Sequence, residues 1–304
     1  MANIIEVTGL GKAYGSIQAV DDISFHVEGG TLFAFLGPNG AGKSTTIDML
    51  CTLLKPDSGS VIMDGRLLGE ENDAIRAMLG VVFQNGVLDD LLTVEENLAV
   101  RGSLYGIKGD AMRKSIALAA HETGVEDLLK RPCGKLSGGQ RRRCDIARAL
   151  IHTPKILFLD EPTTGLDPQT RRNVWETVHR LQRQTGMTVF LTTHYMEEAA
   201  QADYVVVIDN GKIAAKGTPA HLKQQYASDM LKLYALDMEK LYGRLNELGK
   251  TYVKGQDHAI VKVTTTLDAL PLLDACRDLL SGFEVANGTM DDAFIGITGK
   301  EIRP

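Results

Sequence analysis

Residues 37 to 46 read Gly-Pro-Asn-Gly-Ala-Gly-Lys-Ser-Thr-Thr, which puts Gly37, Gly42, Lys43 and Ser44 on the spacing G-x-x-x-x-G-K-[ST]. That spacing suits phosphate. Glycines let successive backbone N–H groups turn inward around a polyphosphate, and a helix starting at the loop adds its partial positive charge. Pro38, Asn39, Gly40, Ala41 and Thr45 are expected to share in the same cradle. Lys43 should reach the β- and γ-phosphates of a bound nucleotide, and the Ser44 hydroxyl should ligate Mg²⁺.

Four further polar residues stand where apolar runs stop: Gln84 after Leu79-Gly-Val-Val-Phe, Asp160 and Glu161 after Ile156-Leu-Phe-Leu, and His194 after Thr188 to Thr193. In parallel α/β sheets ligands bind just beyond the carboxyl ends of the strands, so these ends are informative. Asp160 suits Mg²⁺ ligation, direct or through water, and Glu161 suits general-base work on a water attacking the γ-phosphate. Gln84 can orient water and bind the metal, with a plain strand cap as its bland role. His194 can hydrogen-bond the γ-phosphate, although a lone histidine is more often structural. His26, His121, His152, His179, His221 and His258 are read as structural. A second glycine-rich helix start, Leu136-Ser137-Gly138-Gly139-Gln140, should hold another anion on the same electrostatic grounds. The basic run Arg141, Arg142 and Arg143 that follows reads as a solvated helix face that raises the local positive potential.

Positioning these groups takes a set of elements. Thr31 to Leu36 is a buried strand leading into the cradle, and Ile47, Leu50 and Leu54 recur at helical spacing beyond it. Residues 3 to 8 and 17 to 27 alternate as strands with Gly-Leu-Gly-Lys-Ala-Tyr-Gly as a turn between them; with a short strand at Ser60 to Asp64 they read as an antiparallel flap. Leu79 to Gln84 and Lys155 to Glu161 are strands covered on both faces. From about 88 to 152 the period is helical. It includes a capping box at Thr93 and Glu96, a second helix at Ala111 to Glu122 and a third at Arg141 to Ile151, which predicts an inserted helical subdomain. Asp167 caps a helix from Pro168 to Gln184, and Tyr204 to Asp209 pairs with Lys212 to Ala215 across Asn210-Gly211. Past Gly217-Thr-Pro219 a linking helix runs to Tyr226. Then come strand 230 to 236, helix 238 to 248, strand 258 to 265, helix 269 to 280 and strand 283 to 289, an order resembling a ferredoxin-like α+β unit.

The expected fold is therefore α/β: a P-loop ATPase core over residues 1–220 with an antiparallel β flap and an inserted helical subdomain, plus a small α+β domain over 221–304. At 304 residues with 44% hydrophobic and 24% charged residues, the chain can bury full cores. No apolar run approaches the roughly 18 residues that span a bilayer, and the N-terminus lacks a basic-then-apolar signal, so the chain itself is expected to be cytosolic. A net charge of −6 argues against nucleic acid as a partner. Cys51, Cys133, Cys144 and Cys276 form no C-x-x-C pair and read as reduced, buried thiols.

Residues 1 to about 220 resemble the ATP-binding subunit of an ABC transporter, with every motif of that family in order. Gly37 to Ser44 is similar to the Walker A loop, Gln84 to the Q-loop residue and Ser137 to Gln140, with Leu136, to the family signature. Asp160 and Glu161 close the Walker B run, Gly165-Leu-Asp167 resembles the D-loop, His194 the switch histidine, and Tyr14 the aromatic that stacks on adenine. The resemblance implies ATP with Mg²⁺, and a head-to-tail homodimer in which the signature of one protomer covers ATP in the cradle of the other. It also implies separate transmembrane permease subunits docking beside Gln84, which would hold the chain peripherally on the inner face of the cell membrane. The stretch from Arg141 to Arg172 and a tail ending Asp-Asp-Ala-Phe-Ile-Gly-Ile-Thr-Gly-Lys-Glu-Ile-Arg are similar to subunits serving bacterial drug, lipid and polysaccharide exporters of the ABC-2 type. The alternative is a soluble ABC-type ATPase acting on nucleic acid or ribosomes, whose tandem cassettes, long coiled coil or zinc cysteines are not visible here.

Overall fold

The computed structural model describes residues 2–299 and forms two compact units, the first ending at Lys216 and the second beginning at Gly217. In chain order the first unit contains β1 (Asn3–Tyr14), β2 (Ile17–Glu28), β3 (Leu32–Leu36), α1 (Lys43–Leu50), β4 (Ser58–Met63), β5 (Arg66–Leu67), α2 (Asn72–Met78) and β6 (Leu79–Val82). Then follow α3 (Val94–Leu104), α4 (Gly109–Thr123), α5 (Gly138–Leu150), β7 (Ile156–Asp160), α6 (Pro168–Thr185), β8 (Thr188–Thr193), α7 (Met196–Ala199), β9 (Tyr204–Asp209) and β10 (Lys212–Gly217).

Two sheets make the core. The larger runs β10-β9-β3-β8-β7-β6, with β3, β6, β7, β8 and β9 parallel to one another where they pair. All residues of β3, β7 and β8 are buried, as continuous apolar strands covered on both faces must be. The smaller sheet, β2-β1-β4-β5, is antiparallel and packs on the larger through Phe25, whose ring lies 5.6 Å from Phe33, 5.5 Å from Phe35 and 6.2 Å from Phe190. Burying each such ring contributes about 1.5–3 kcal/mol. Parallel strands whose carboxyl ends share one edge bring Leu36, Asp160 and Thr193 to that edge.

The helices α3, α4 and α5 interrupt the alternation of strand and helix; the predicted capping box of Thr93 with Glu96 forms, and the structure adds a second, Ser137 with Gln140. One local expectation fails. Gly9 to Tyr14 is not a turn but a continuation of β1, with register shifts between Val7 and Leu10 and again toward Ala13; the reversal is confined to Gly15 and Ser16. Irregularities of this kind absorb Gly9 at φ 60° without breaking the ladder. Asp57 then holds the extended strand, accepting from Ala13 N at 2.8 Å and Lys12 Nζ at 2.7 Å.

The second unit contains α8 (Pro219–Tyr226), β11 (Asp229–Ala235), α9 (Met238–Glu247), β12 (Tyr252–Lys254), β13 (His258–Val263), α10 (Ala269–Cys276), β14 (Leu280–Ala286) and α11 (Met290–Thr298). Its antiparallel sheet has the order β12-β13-β11-β14. Leu231 and Leu233 pack there with Leu241, Leu245, Val261 and Leu272. The short β12 and the terminal α11 were not expected. Thr289, expected as a strand end, instead accepts from Asp292 N at 3.1 Å and caps α11. The break between units precedes the expected boundary at 220 because α8, capped by Thr218, packs against α11. The last residues of the tail likened to exporter subunits, from Lys300 onward, lie outside the described residues.

Candidate active site

The cradle is built where β3 ends. Gly37 N donates to Thr193 O at 3.2 Å, and Ala41 N folds the loop back onto Pro38 O at 3.2 Å. Gly42 sits at φ 104°, and a Cβ there would stand 2.4 Å from Ala19 O of β2, so only glycine lets the loop pass under the flap. Next along the chain, Lys43 opens α1 with 4% exposure. Its Nζ donates to Gly37 O at 2.7 Å and Pro38 O at 3.1 Å and lies 3.2 Å from Glu161 Oε1. Burial pulls the Lys43 ammonium below its ordinary range, and the charges of Glu161 and Asp160 restore only part of the loss. A hollow of about 270 Å³ is lined by Asn39, Gly40, Gly42, Lys43, Ser44 and Thr45, closed by Ala19, Gln84 and Glu161.

Glu161 follows β7 at φ 44°, a left-handed backbone that costs a non-glycine residue of order 1 kcal/mol or more. What holds it there is β8: Glu161 N donates to Thr192 Oγ1 at 3.1 Å. Its carboxylate then faces Gln84 and His194, predicted at the ends of two other strands, together with Lys43 and Thr164. Lys43 Nζ faces Oε1, whereas Oε2 lies 3.2 Å from Thr164 Oγ1, 3.5 Å from Gln84 Nε2 and 3.3 Å from His194 Nδ1. His194 Nδ1 is buried and off line for a hydrogen bond at that distance; the two groups become an ion pair only when the ring is protonated. Burial would raise the Glu161 carboxyl, but the charge and hydrogen bond of Lys43, then His194, outweigh it and leave it below its ordinary range. Asp160 behaves oppositely. Burial pushes it up against the hydrogen bond from Thr192 Oγ1 at 2.6 Å.

Ser137 caps α5 and accepts from Gln140 N, while Gln140 Oε1 accepts from Ser137 N at 3.1 Å. None of Ser137, Gly138, Gly139 or Gln140 lines the cradle of its own chain; Gly138 lines a separate hollow of about 130 Å³ that shares Gln84 and Glu161 with it. Asp167 caps α6 by accepting from Thr170 N at 3.0 Å. Tyr14 is half-exposed at the end of β1 and is likewise not part of the cradle wall. The arginine run is no solvated face. Arg142 is buried and donates to Phe83 O at 2.5 Å, Pro162 O at 2.7 Å and Asp160 O at 3.0 Å, because those carbonyls, freed where β6 and β7 end, need a donor. Arg141 reaches Leu88 O and Asp90, and Arg143 reaches Gly124 O.

Known proteins resemble the chain along nearly its whole length. Residues 20–164 match the model of the ABC transporter family. The chain is 39% identical over 307 residues to the daunorubicin/doxorubicin resistance ATP-binding protein DrrA of Streptomyces peucetius, covering 97% of this chain and 92% of that one. The chain belongs to the ABC transporter family. It is also 37% identical over 309 residues to the Nod factor export ATP-binding protein I of Ralstonia nicotianae, covering 99% of this chain and 95% of that one. Among solved structures, cbiO1 from Clostridium perfringens, part of the ABC transporter complex cbiONQ, aligns with TM-score 0.69 and 29% identity over 82% of this chain and 98% of that one. A dimeric structure of MJ0796, a bacterial ABC transporter cassette, aligns with TM-score 0.65 and 28% identity over 70% and 98%.

This ABC ATPase is thus the ATP-binding subunit of a transporter, hydrolysing ATP on a P-loop α/β fold. No described helix is long and apolar enough to cross a membrane. Among the described residues no cluster of three or more histidine, cysteine or acidic side chains could hold a metal alone. The oxygen donors near the cradle, the Ser44 hydroxyl and the Asp160 carboxylate at the end of β7, are hard ligands of the kind Mg²⁺ takes together with substrate phosphates. Two residues of the ABC ATPase escaped the sequence reading. Arg142 was hidden in a basic run, and Glu198 in the acidic pair Glu197-Glu198 of a short helix; only a donor or acceptor count at the strand ends would have exposed them.

Proposed function

We propose that two copies of this ABC ATPase close head-to-tail around two ATP molecules and drive export through separate membrane-embedded permease subunits. The observation that carries the pairing is the incomplete cradle: Ser137 to Gln140 form a glycine-rich helix start suited to an anion, yet stand outside the hollow that Lys43 and Ser44 line. A partner's signature completes it. Tyr14 stacks on adenine, and the Walker A backbone and Lys43 bind the phosphates. An arriving γ-phosphate competes with Glu161 for Lys43, which frees the carboxylate to take a proton from the attacking water. Ser44, Gln84 and Asp160 would hold Mg²⁺, which when bound would neutralise charge on the phosphates. His194 bonds the γ-phosphate beside Glu161, and Asp167 keeps α6 in place at the partner-facing loop.

The permease docks in a groove of about 360 Å³ between the core and the helical insertion, where Leu53, Phe83 and Tyr105 offer apolar surface beside Arg76 and Arg101. Such a groove takes an amphipathic helix. That partner makes the chain peripheral to the inner face of the membrane. Export is supported by the whole-length relatives, which are named for drug resistance and Nod factor export. The second unit, reading strand-helix-strand-strand-helix-strand in the order β12-β13-β11-β14, is a ferredoxin-like domain appended to the cassette at about residue 220.

Ser137→Asp tests the pairing cleanly. Aspartate caps helices as well as serine, so α5 survives, whereas the added carboxylate opposes the partner's γ-phosphate. Gly139→Asp would be a poorer choice, since even a Cβ there would stand 2.1 Å from Thr170 Cγ2. Turnover should fall by about 10²-fold or more while one chain still binds ATP. Wild-type turnover in Ser137→Asp would contradict the composite site.

A further inference from the structure

Glu198 is 1% exposed, and three neutral donors converge on its carboxylate. Oε1 accepts from Thr163 Oγ1 and from Trp175 Nε1, the latter at 3.1 Å; Oε2 accepts from Thr193 Oγ1 at 2.5 Å. The donors come from three places. Thr163 lies in the loop just past Glu161, Trp175 on α6 behind Asp167, and Thr193 at the end of β8 beside His194. Thr193 Oγ1 in turn accepts from Tyr195 N at 2.9 Å, so both neighbours of His194 are tied to the one carboxylate. Thr163, Trp175 and Thr193 are all buried, which gives these bonds full weight in a site from which water is excluded.

A buried carboxylate costs several kcal/mol to desolvate, and nothing in the packing of α7, a helix of only four residues, requires one. Leucine would fill a comparable volume. What the carboxylate does that leucine cannot is fix three hydroxyl and indole donors relative to one another. We propose that Glu198 is a positioning residue for ATP hydrolysis: it sets the loop carrying Glu161 against the strand end carrying His194, so that the two side chains meet at 3.3 Å. Glu198 touches no reacting atom. It rests on the reading of Glu161 as general base and His194 as its neighbour at the γ-phosphate.

A misplacement of about 1 Å in a catalytic pair costs roughly 10²-fold in rate without weakening substrate binding. Glu198→Ala should therefore lower kcat by about 10- to 100-fold with KM for ATP within about twofold of wild type. Glu198→Gln can still accept from Thr163 and Trp175 and donate to Thr193, so it should recover most of that loss. Trp175 is the chain's single tryptophan, and its indole N–H bonds directly to Glu198. Its emission is therefore a private reporter, expected to shift in Glu198→Ala and to stay near wild type in Glu198→Gln. Should Glu198→Ala fail to fold, Thr193→Val removes the bonds of that hydroxyl to Glu198 and to Tyr195 N at equal volume and should lower kcat by about 10-fold with KM unchanged. Wild-type kcat in Thr193→Val and in any folded Glu198→Ala, with Glu161→Gln inactive, would overturn the role of Glu198 alone. A parallel loss of kcat and ATP affinity would also overturn it, as the mark of general damage. Full activity in Glu161→Gln would instead remove the reading on which the proposal rests.

Discussion

At the scale of single residues, the chemistry turns on where one carboxylate spends its charge. Glu161 lies 3.2 Å from a buried ammonium and 3.3 Å from an imidazole, held in a left-handed backbone by Thr192. The charge and hydrogen bond of Lys43 outweigh burial and keep it ionised, as the proposed role of general base requires. Glu161→Gln keeps the shape and removes the charge. It should slow ATP hydrolysis by about 10²- to 10⁴-fold, and ATP binding should persist because Lys43 keeps Gly37 O and Pro38 O as partners. Single-turnover hydrolysis alongside equilibrium ATP binding checks both halves. Equal turnover in mutant and wild type would dismiss the assignment.

Among the elements, the helical insertion is fastened to the core by polar groups. Arg142 of α5 spans the ends of β6 and β7, and His152, just past α5, stacks on Tyr105 at 3.8 Å while its Nε2 meets Leu79 O at 3.0 Å. Burial, with help from Arg101 and Arg148, pushes the His152 ring down to about 4. An unfolded histidine titrates near 6.5, so the folded state is favoured above that pH and loses ground as pH falls from about 6.5 toward 4. His152→Gln removes this titration. Between pH 7 and pH 5 the wild type should lose on the order of 1 kcal/mol more stability than the mutant, read from paired denaturant titrations. Parallel losses in the two proteins would deny His152 that role. Strands and caps of this scaffold were legible because apolar runs and the S/T-x-x-E/Q spacing report locally, as at Thr93. The polar ties were not. A buried arginine or glutamate is spelled like a surface one, and only the fold brings Arg142 to three carbonyls or Glu198 to Thr163, Trp175 and Thr193. The extended end of β1 was missed for a related reason: Asp57, far along the chain, holds straight what glycines alone would turn.

For the whole molecule, the proposed pairing means that one chain does not make a complete site. Its cradle is walled by the P-loop, Gln84 and Glu161, and its own signature helix starts elsewhere. Donors supplied by a partner raise phosphoryl transfer by about 10³- to 10⁵-fold in other P-loop enzymes, so a lone chain should be nearly inactive. The most direct measurement is ATPase turnover per chain across a dilution series, with sedimentation of the same samples in ATP. Turnover should rise with the dimer fraction and fall toward zero where only monomer sediments. Turnover per chain that stays constant into the monomer range would contradict the two-chain site.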